Sequence, residues 1–257
     1  RDPSARLRTL QVSSWLEGGA GFVTAVRVIE GTGPVLRRRT RQLASSLERE
    51  IADAGLRVFT RTVLAADLPA GVQAVVQAHG LGSVRPNPVA FGLDDLGAAD
   101  RTDGRRIGEV LQECARFSMN VLVIHSNDQG WTQLDDIQAA RRRICVLWSE
   151  DHLGQLMTLL AWLCTRSDEW DRSVLEVVVP MSASEPEREQ GVRRLLEDAR
   201  IEADVLAIDD TPGAMQARLD DATMVFLPLR IRRLEPLGPF DTPIARLDLS
   251  HPVTVLV

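Results

Sequence analysis

The segment Ile144–Cys164 constrains the fold more than any other part of this 257-residue chain. The apolar run Ile144–Trp148 is followed by a polar turn that contains Ser149 and Asp151, and then by the apolar stretch Leu153–Cys164. A short apolar run with β-branched residues is typical of a strand buried on both faces of a parallel sheet. A side-chain oxygen in the turn can cap the helix that follows, because it accepts a hydrogen bond from an unpaired backbone N–H. The segment therefore predicts a strand, a turn and a helix.

The predicted helix Leu153–Cys164 has almost no polar side, so most of its surface needs a cover. About 20 apolar residues are needed to span a bilayer, and this run is shorter, so it predicts a core or interface helix. We expect Leu159 and Trp162 either to lie beneath another part of the same chain or to form the interface of a symmetric homodimer. The sequence leaves these two arrangements open.

Strand and helix patterns alternate along the chain and restart after a polar, turn-rich connector at residues 127–142. Such alternation implies β-α-β crossovers, so we predict an α/β fold of two similar halves with a mainly parallel, doubly wound sheet. The first half covers residues 22–126. The second covers residues 143–257 and includes a proline-rich loop and a last strand. The predicted strands are Phe22–Ile29, Leu56–Leu64, Val89–Leu93, Val121–Ile124, Ile144–Trp148, Val174–Val179, Asp204–Ile208, Met224–Leu227 and Val253–Val257.

The composition is that of an ordinary folded domain, with 44% apolar and 26% charged residues. The formal net charge of −6 argues against a dedicated nucleic-acid binder, which normally carries a basic excess. Cys114, Cys145 and Cys164 are widely spaced in apolar segments, so we expect buried, reduced thiols and a cytosolic setting.

Gly31 and Gly33 lie between a predicted strand and a predicted helix, where backbone N–H groups can hold a phosphate. Neither the third glycine of a dinucleotide fingerprint nor the Gly-Lys-Ser/Thr ending of a phosphate-binding loop is present, so a plain tight turn is the favoured interpretation. The sequence therefore predicts no cofactor, and these two glycines are the alternative nucleotide site.

Three titratable residues, Glu150, Asp151 and His152, are consecutive at the start of a helix and therefore point in different directions. Helix capping explains the acids better than a metal site does, so we expect no metal. His125, at a strand end beside Ser126, lies where ligands often bind in open sheets, but a local hydrogen bond is the more common role. We predict no catalytic residue.

Several segments, taken together, resemble the cytosolic C-terminal domain of the cation–chloride cotransporters, a family of the amino acid–polyamine–cation transporter superfamily. Trp148 and Asp151, followed by a leucine-rich helix, are similar to residues that follow a strand in that family. Other similar segments occur in the same order along the chain, at His79–Asn87, Val89–Leu93, Asn120–Ile124 and Arg200–Val205. The residues that match family motifs, which we expect to be structural, are Gly80, Gly82, Arg85, Pro86, Asn87, Trp148 and Asp151.

This resemblance implies a universal-stress-protein-like fold and a non-catalytic regulatory and dimerisation domain at the cytoplasmic face of the membrane. Residues 1–21 would then be a tether from a transmembrane portion that moves chloride with potassium or sodium, and the partners would be that portion and a second copy. The competing interpretation is a freestanding nucleotide-binding module of the stress-protein type, or an enzyme, on the same fold.

Arg37, Arg38, Arg39 and Arg41 precede the first acidic residues of the same predicted helix, Glu48 and Glu50. These arginines spread over most of a helix circumference, so a solvated surface is the first interpretation. For a domain beneath a membrane, arginines that face anionic lipid would each contribute about 1 kcal/mol. Contact with anionic lipid is therefore a second expectation.

Overall fold

A computed structural model of the chain describes residues 3–19, 21–78, 87–96, 104–182 and 187–257. Within these ranges, strands and helices alternate through most of the chain. The helices are α1 (Pro3–Leu16), α2 (Pro34–Asp53), α3 (Leu68–Ala78), α4 (Gly104–Arg116), α5 (Asp128–Leu134), α6 (His152–Cys164), α7 (Arg188–Ala199) and α8 (Pro212–Leu219). The strands are β1 (Thr24–Glu30), β2 (Phe59–Ala65), β3 (Val89–Gly92), β4 (Val121–Ser126), β5 (Arg143–Leu147), β6 (Val174–Met181), β7 (Asp204–Asp209), β8 (Met224–Leu227), β9 (Arg230–Arg232), β10 (Glu235–Leu237) and β11 (Val253–Leu256).

A seven-stranded sheet in the order β3-β4-β11-β8-β5-β6-β7 forms the centre of the fold. The pairs β11–β8, β8–β5, β5–β6 and β6–β7 are all parallel. Strands β1 and β2 form a separate parallel pair, in which Thr24 lies opposite Phe59. The predicted α/β class with a mainly parallel sheet and flanking helices is confirmed.

The chain divides into two compact units. The first contains Arg1–Ser14, Ala20–Val123 and Ile231–Pro236, and the second contains the remaining residues. No helix in the described part of the chain is long and apolar enough to cross a membrane.

In the first unit, α2 covers one face of the β1–β2 pair. Ala25, Leu47 and Ile51 are buried together there. At the edge of this core, the guanidinium of Arg27 donates to the carboxylate of Glu50 at 3.0 Å, and Arg6 lies 3.4 Å from the same oxygen. This cluster between α2 and the strand pair is small, and charged groups border it.

In the second unit, the direction in which strands are added to the sheet reverses between β5 and β8. The chain runs from β5 through α6 to β6 and through α7 to β7, and then α8 returns it to β8 on the other side of β5. Strands β8 and β11 are buried along their whole length, as expected for a sheet covered on both faces.

Three elements lie where the sequence analysis assigned none. Helix α1 occupies most of the segment interpreted as a tether, and its buried residues Val12, Trp15 and Leu16 follow a helical spacing. Helix α5 lies within the connector at 127–142. The proline-rich loop contains the β9–β10 hairpin, in which Arg233 and Leu234 take positive φ values. A glycine-based turn signal was absent there, so the hairpin was missed.

Candidate functional site

In the second unit, the carboxyl ends of β5 and β8 are the expected position of a ligand site. Ligands of doubly wound sheets bind outside the carboxyl ends of the strands, at the point where the strand order reverses. Strand β5 ends at Leu147 and β8 ends at Leu227, and these strands are direct neighbours. The candidate site is therefore formed by the turn after Leu147 and the loop after Leu227.

The turn after β5 is fixed by its own hydrogen bonds. The backbone N–H of Trp148 donates to the carbonyl of Val178 at 2.8 Å. Asp151 is the N-cap of α6, and its carboxylate accepts from the N–H of Leu153 at 3.1 Å. Gly154 packs so closely on this turn that a Cβ atom would overlap the carbonyl oxygen of Ser149. Asp151 thus caps α6, and the backbone of Trp148 continues the hydrogen bonds to β6 beyond Leu147.

Arg230, the first residue of β9, reaches the turn that follows β5. Its guanidinium lies 3.2 Å from the carboxylate of Asp151 and 3.4 Å from the hydroxyl of the buried residue Ser149. The loop Pro228–Leu229 that precedes it contains no glycine. A side chain of the protein therefore lies beside the start of α6, the region in which ligands bind other doubly wound folds.

A second arginine lies beside the same turn. Arg188, at the start of α7, has its Nε 3.3 Å from the carboxylate of Glu150. Glu150 and Asp151 thus bind different arginines and do not converge on one point. His152 is the exposed first residue of α6. Among the described residues, no group of three His, Cys, Asp or Glu side chains is arranged to hold a metal ion.

Gly31 and Gly33 lie in the loop between β1 and α2, and both have φ values above 100°, at 127° and 110°. The N–H of Gly31 donates to the carbonyl of Ala65 at 2.8 Å, so this donor is already used within the protein. A Cβ on Gly31 would lie 2.7 Å from Cδ1 of Leu36. The backbone conformation and this close approach are enough to explain Gly31 without a nucleotide.

Asn87 is the one residue of the His79–Asn87 segment that the structure describes. Its side-chain oxygen accepts from the N–H of Asn120 at 2.8 Å, and the carbonyl of Asn120 accepts from the N–H of Val89 at 2.9 Å. Asn87 therefore holds the start of β3 beside the start of β4. The other motif residues of this segment, Gly80, Gly82, Arg85 and Pro86, lie outside the described residues.

His125 is half-buried near the end of β4. The next element, α5, begins immediately afterwards, with the side chain of Asn127 accepting from the N–H of Gly130 at 2.8 Å. Strand β4 therefore leads directly into the capped start of α5.

The exposed side of α6 carries the two residues named as a possible interface. Leu159 is 44% exposed, whereas Met157, Leu160 and Ala161 on the other side are buried. Trp162 is half-buried, and the guanidinium carbon of Arg166 lies 5.9 Å from its ring centroid. Part of the apolar surface of α6 is thus covered by its own unit, while Leu159 remains accessible.

All three cysteines are free and buried. Burial raises the pKa of the Cys114 thiol to about 11, and the nearby charge of Glu113 adds to this shift. Burial also raises the pKa of Cys145 to about 12, assisted by the charge of Glu176. Burial raises the pKa of Cys164 as well. Thiols with raised pKa values are poor nucleophiles at neutral pH, which fits a packing role.

A buried ionic cluster that the sequence analysis did not identify lies on strands β5 and β6. The carboxylate of Glu176 accepts hydrogen bonds from Arg143 at 2.7 Å and from Arg218 at 2.6 Å, and the Cys145 thiol lies 3.4 Å from it. Burial raises the pKa of Glu176, but the hydrogen bonds and charges of the two arginines and the bond from Cys145 outweigh it, so the pKa is lowered overall. A glutamate in an otherwise apolar strand was the available signal.

A cluster of three tryptophans was also missed. The Trp15 ring stacks on that of Trp131 with centroids 5.6 Å apart and meets Trp170 edge-on at 5.4 Å. The guanidinium of Arg142 lies 5.4 Å from the Trp170 centroid and donates to the carbonyl of Leu134 at 2.8 Å. All three rings belong to the second unit.

The fold defines the chain as a doubly wound α/β protein of the universal-stress-protein type. It is similar to a universal stress protein from Archaeoglobus fulgidus, with a TM-score of 0.55 and 12% identity over 95% of this chain and 90% of that one. It is also similar to the cytoplasmic domain of a prokaryotic cation chloride cotransporter, with a TM-score of 0.57 and 14% identity over 100% of this chain and 92% of that one. Neither family sequence models nor curated proteins gave a match. At these identities the likeness establishes the fold.

Proposed function

We propose that this chain is a non-catalytic regulatory domain of a cation–chloride cotransporter, attached to a membrane portion and paired with a second copy of itself. The observation that carries the proposal is the extent of the structural likeness, which covers the whole of this chain and 92% of the cotransporter's cytoplasmic domain. The sequence segments that resemble this family supply the second support. Among them, Val89–Leu93 and Asn120–Ile124 correspond to strands β3 and β4, Trp148 and Asp151 lie between β5 and α6, and Arg200–Val205 leads into β7.

The geometry of the carboxyl edge favours this proposal over a nucleotide-binding module. A phosphate at a helix start is held by free backbone N–H groups of a glycine-rich loop. Here Arg230 pairs with Asp151, Asp151 caps α6, and Gly31 uses its N–H within the fold. These contacts support a domain that acts by binding other protein surfaces rather than a nucleotide.

Reconstitution of the full-length protein that contains these residues is the direct test. We expect uptake of rubidium, a probe for potassium, or of sodium into proteoliposomes to require chloride, and chloride uptake to require the cation. Removal of residues 22–257 should change the transport rate because the domain is proposed to regulate it. Cation uptake that does not depend on chloride would overturn the proposal.

Titration of the isolated domain with ATP in a calorimeter separates the two interpretations independently. We expect no heat of binding at micromolar ATP. Micromolar ATP binding would instead favour the nucleotide-binding module. The titration should use the wild-type chain, because a side chain at Gly31 would contact Leu36 and distort the loop whether or not a nucleotide binds.

Light scattering coupled to size exclusion tests the proposed pairing. We expect a dimer that is weakened by Leu159→Glu, since this exposed residue lies on the apolar side of α6. Trp162→Glu tests the neighbouring position in the same way. The matched control is Ile231→Glu, which changes another partly exposed apolar residue and should leave the dimer intact. A monomeric wild-type domain would contradict the pairing, and a dimer that survives both α6 variants would exclude this interface.

A further inference from the structure

Helix α2 carries an exposed basic face that none of the functions above uses. Arg38, Arg39, Arg41 and Arg49 are all exposed on it, while Leu47, on the opposite side, is buried. Successive helical residues are 100° apart, so these arginines all fall on the outer half of the helix. The expectation that the arginines at the start of this helix spread over most of its circumference therefore needs correction for Arg38, Arg39 and Arg41.

The acids Glu48 and Glu50 of α2 lie beyond the arginines at its start. Glu50 binds Arg27 at 3.0 Å and Arg6 at 3.4 Å, and it accepts from Ser46 at 2.8 Å. Its charge is thus compensated by two arginines of the same unit. Glu48 is exposed and lies toward the other end of α2. The first two turns of α2 contain no acidic residue.

Arg38, Arg39 and Arg41 have no paired acid within the part of the chain that the structure describes. They form no ion pair and donate no side-chain hydrogen bond to a described residue. Like charges one turn apart on a helix repel one another. An anionic partner would relieve this mutual repulsion.

An apolar side chain projects from the same face. Val35 is 78% exposed, and it precedes Arg38 by three positions and Arg39 by four, so the three side chains are neighbours on the helix surface. Arginines near a membrane surface are attracted to anionic lipid, and an exposed apolar side chain between them can enter the headgroup region. Helix α2 has no aromatic residue, whereas surfaces that bind single-stranded nucleic acid stack bases on aromatic rings.

We propose that the outer face of α2, formed by Val35, Arg38, Arg39 and Arg41, docks on the surface of an anionic phospholipid bilayer. The choice of a membrane rests on the proposed function, which puts the domain beneath one. The exposed, unpaired positive charge does not depend on it. The net charge of −6 does not prevent docking, because physiological salt screens charges beyond about 8 Å and the surface acts locally.

Vesicle co-sedimentation tests this docking with the isolated 257-residue domain. We expect binding to vesicles that contain phosphatidylglycerol and none to vesicles of phosphatidylcholine alone, with the binding weakened by salt. The triple variant Arg38→Gln, Arg39→Gln, Arg41→Gln should lose roughly a hundredfold in affinity, since each basic residue near an anionic surface contributes about fivefold. Val35→Ser should weaken binding by a smaller factor.

The matched control is the triple variant Arg57→Gln, Arg194→Gln, Arg246→Gln. It removes the same charge from three exposed arginines outside α2, so it should bind as the wild type does. Equal loss in the two triple variants, or no preference of the wild type for phosphatidylglycerol, would overturn the proposal. So would tighter binding of a single-stranded RNA homopolymer through the same arginines.

The outcome is separable from that of the proposed function. Vesicle binding through α2 with transport that ignores chloride would reject the cotransporter and keep the lipid surface. Chloride-dependent transport without vesicle binding would keep the cotransporter and reject the lipid surface. Thermal melting of each variant excludes unfolding as the cause of lost binding.

Discussion

Arg230 and Asp151 are 79 positions apart in the chain, yet the guanidinium of Arg230 donates to the carboxylate of Asp151 at 3.2 Å. This contact joins the loop after β8 to the N-cap of α6, across the point where the strand order of the second unit reverses. The side chains are 59% and 44% exposed, so solvent screens the pair. Such ion pairs contribute about 0–1 kcal/mol, so the contact adds little to stability.

Substitutions at Asp151 should separate the helix cap from the ion pair. Asp151→Asn keeps an oxygen for the N–H of Leu153 and loses only the charge, so we expect less than about 1 kcal/mol of destabilisation. Asp151→Ala loses the cap as well and should cost about 1 kcal/mol more. Urea denaturation measures both, and Arg230→Gln should match Asp151→Asn. Equal costs for the Asn and Ala variants would contradict the capping role.

The buried cluster around Glu176 should be far more sensitive to substitution. Glu176→Gln removes the charge that compensates Arg143 and Arg218 next to a buried strand. Breaking a buried pair at one partner costs about 3–5 kcal/mol, and the partial exposure of the two arginines puts our expectation near the lower end of this range. The control is Glu189→Gln, whose pair with Arg193 is exposed and should contribute less than about 1 kcal/mol. Similar urea midpoints for the two variants would exclude a special role for the cluster.

His251 should make stability depend on pH near neutrality. Burial lowers its pKa below the ordinary value of 6.5, although the charges of Asp248 and Asp220 act in the opposite direction. The unfolded chain therefore binds a proton more readily than the folded one. The contribution of this group is fully present above pH 6.5 and is lost as the pH falls through the folded-state pKa.

The free energy of unfolding of the wild type should thus decrease below pH 6.5, by at most about 1.4 kcal/mol per pH unit from this one group. His251→Gln should flatten that decrease. The pKa values of Glu50, Glu176 and Asp248 are lowered from ordinary values of 4.5, 4.5 and 3.8, so their losses fall in a more acidic range. If the free energy of unfolding of His251→Gln depends on pH as the wild type does, another group causes the decrease.

The regular part of the fold could be predicted because its signals are local. Met224–Leu227 and the strand–turn–helix unit around Ser149 are apolar runs bounded by turns, and the structure has strands β5 and β8 and helix α6 there. Which strands share a sheet was not predictable. Strands β1 and β2 pair with each other, whereas β3 and β4 belong to the seven-stranded sheet. This division depends on long-range packing that no local pattern encodes.

The candidate site could be predicted only in part. The cap at Asp151 follows from a polar residue before an apolar helix, which is a local rule. The pairing of Asp151 with Arg230 and of Glu176 with Arg218 depends on the crossover of the chain from β7 through α8 to β8. Such pairs follow from the strand order, so the sequence alone could not supply them.

Two helical glycines that look equivalent in the sequence have different surroundings in the structure. Gly154 lies in α6 and Gly191 in α7, and alanine has a helix propensity about 1 kcal/mol better than that of glycine. A Cβ at Gly154 would overlap the carbonyl oxygen of Ser149 and lie 3.1 Å from Cδ2 of Trp148, whereas a Cβ at Gly191 would meet nothing within 4 Å. Overpacking of this kind costs about 1–3 kcal/mol and outweighs the gain in propensity.

We therefore expect the two glycine-to-alanine substitutions to change the free energy of unfolding in opposite directions. Gly154→Ala should lower the free energy of unfolding, and Gly191→Ala should raise it by about 0.5–1 kcal/mol. Urea denaturation monitored by circular dichroism measures both changes under one condition. Because Gly191 controls for the propensity of alanine, the difference between the two variants isolates the contact of α6 with the turn at Ser149. A stabilising Gly154→Ala would mean that this turn moves away from α6 easily and that Arg230 does not hold it in place.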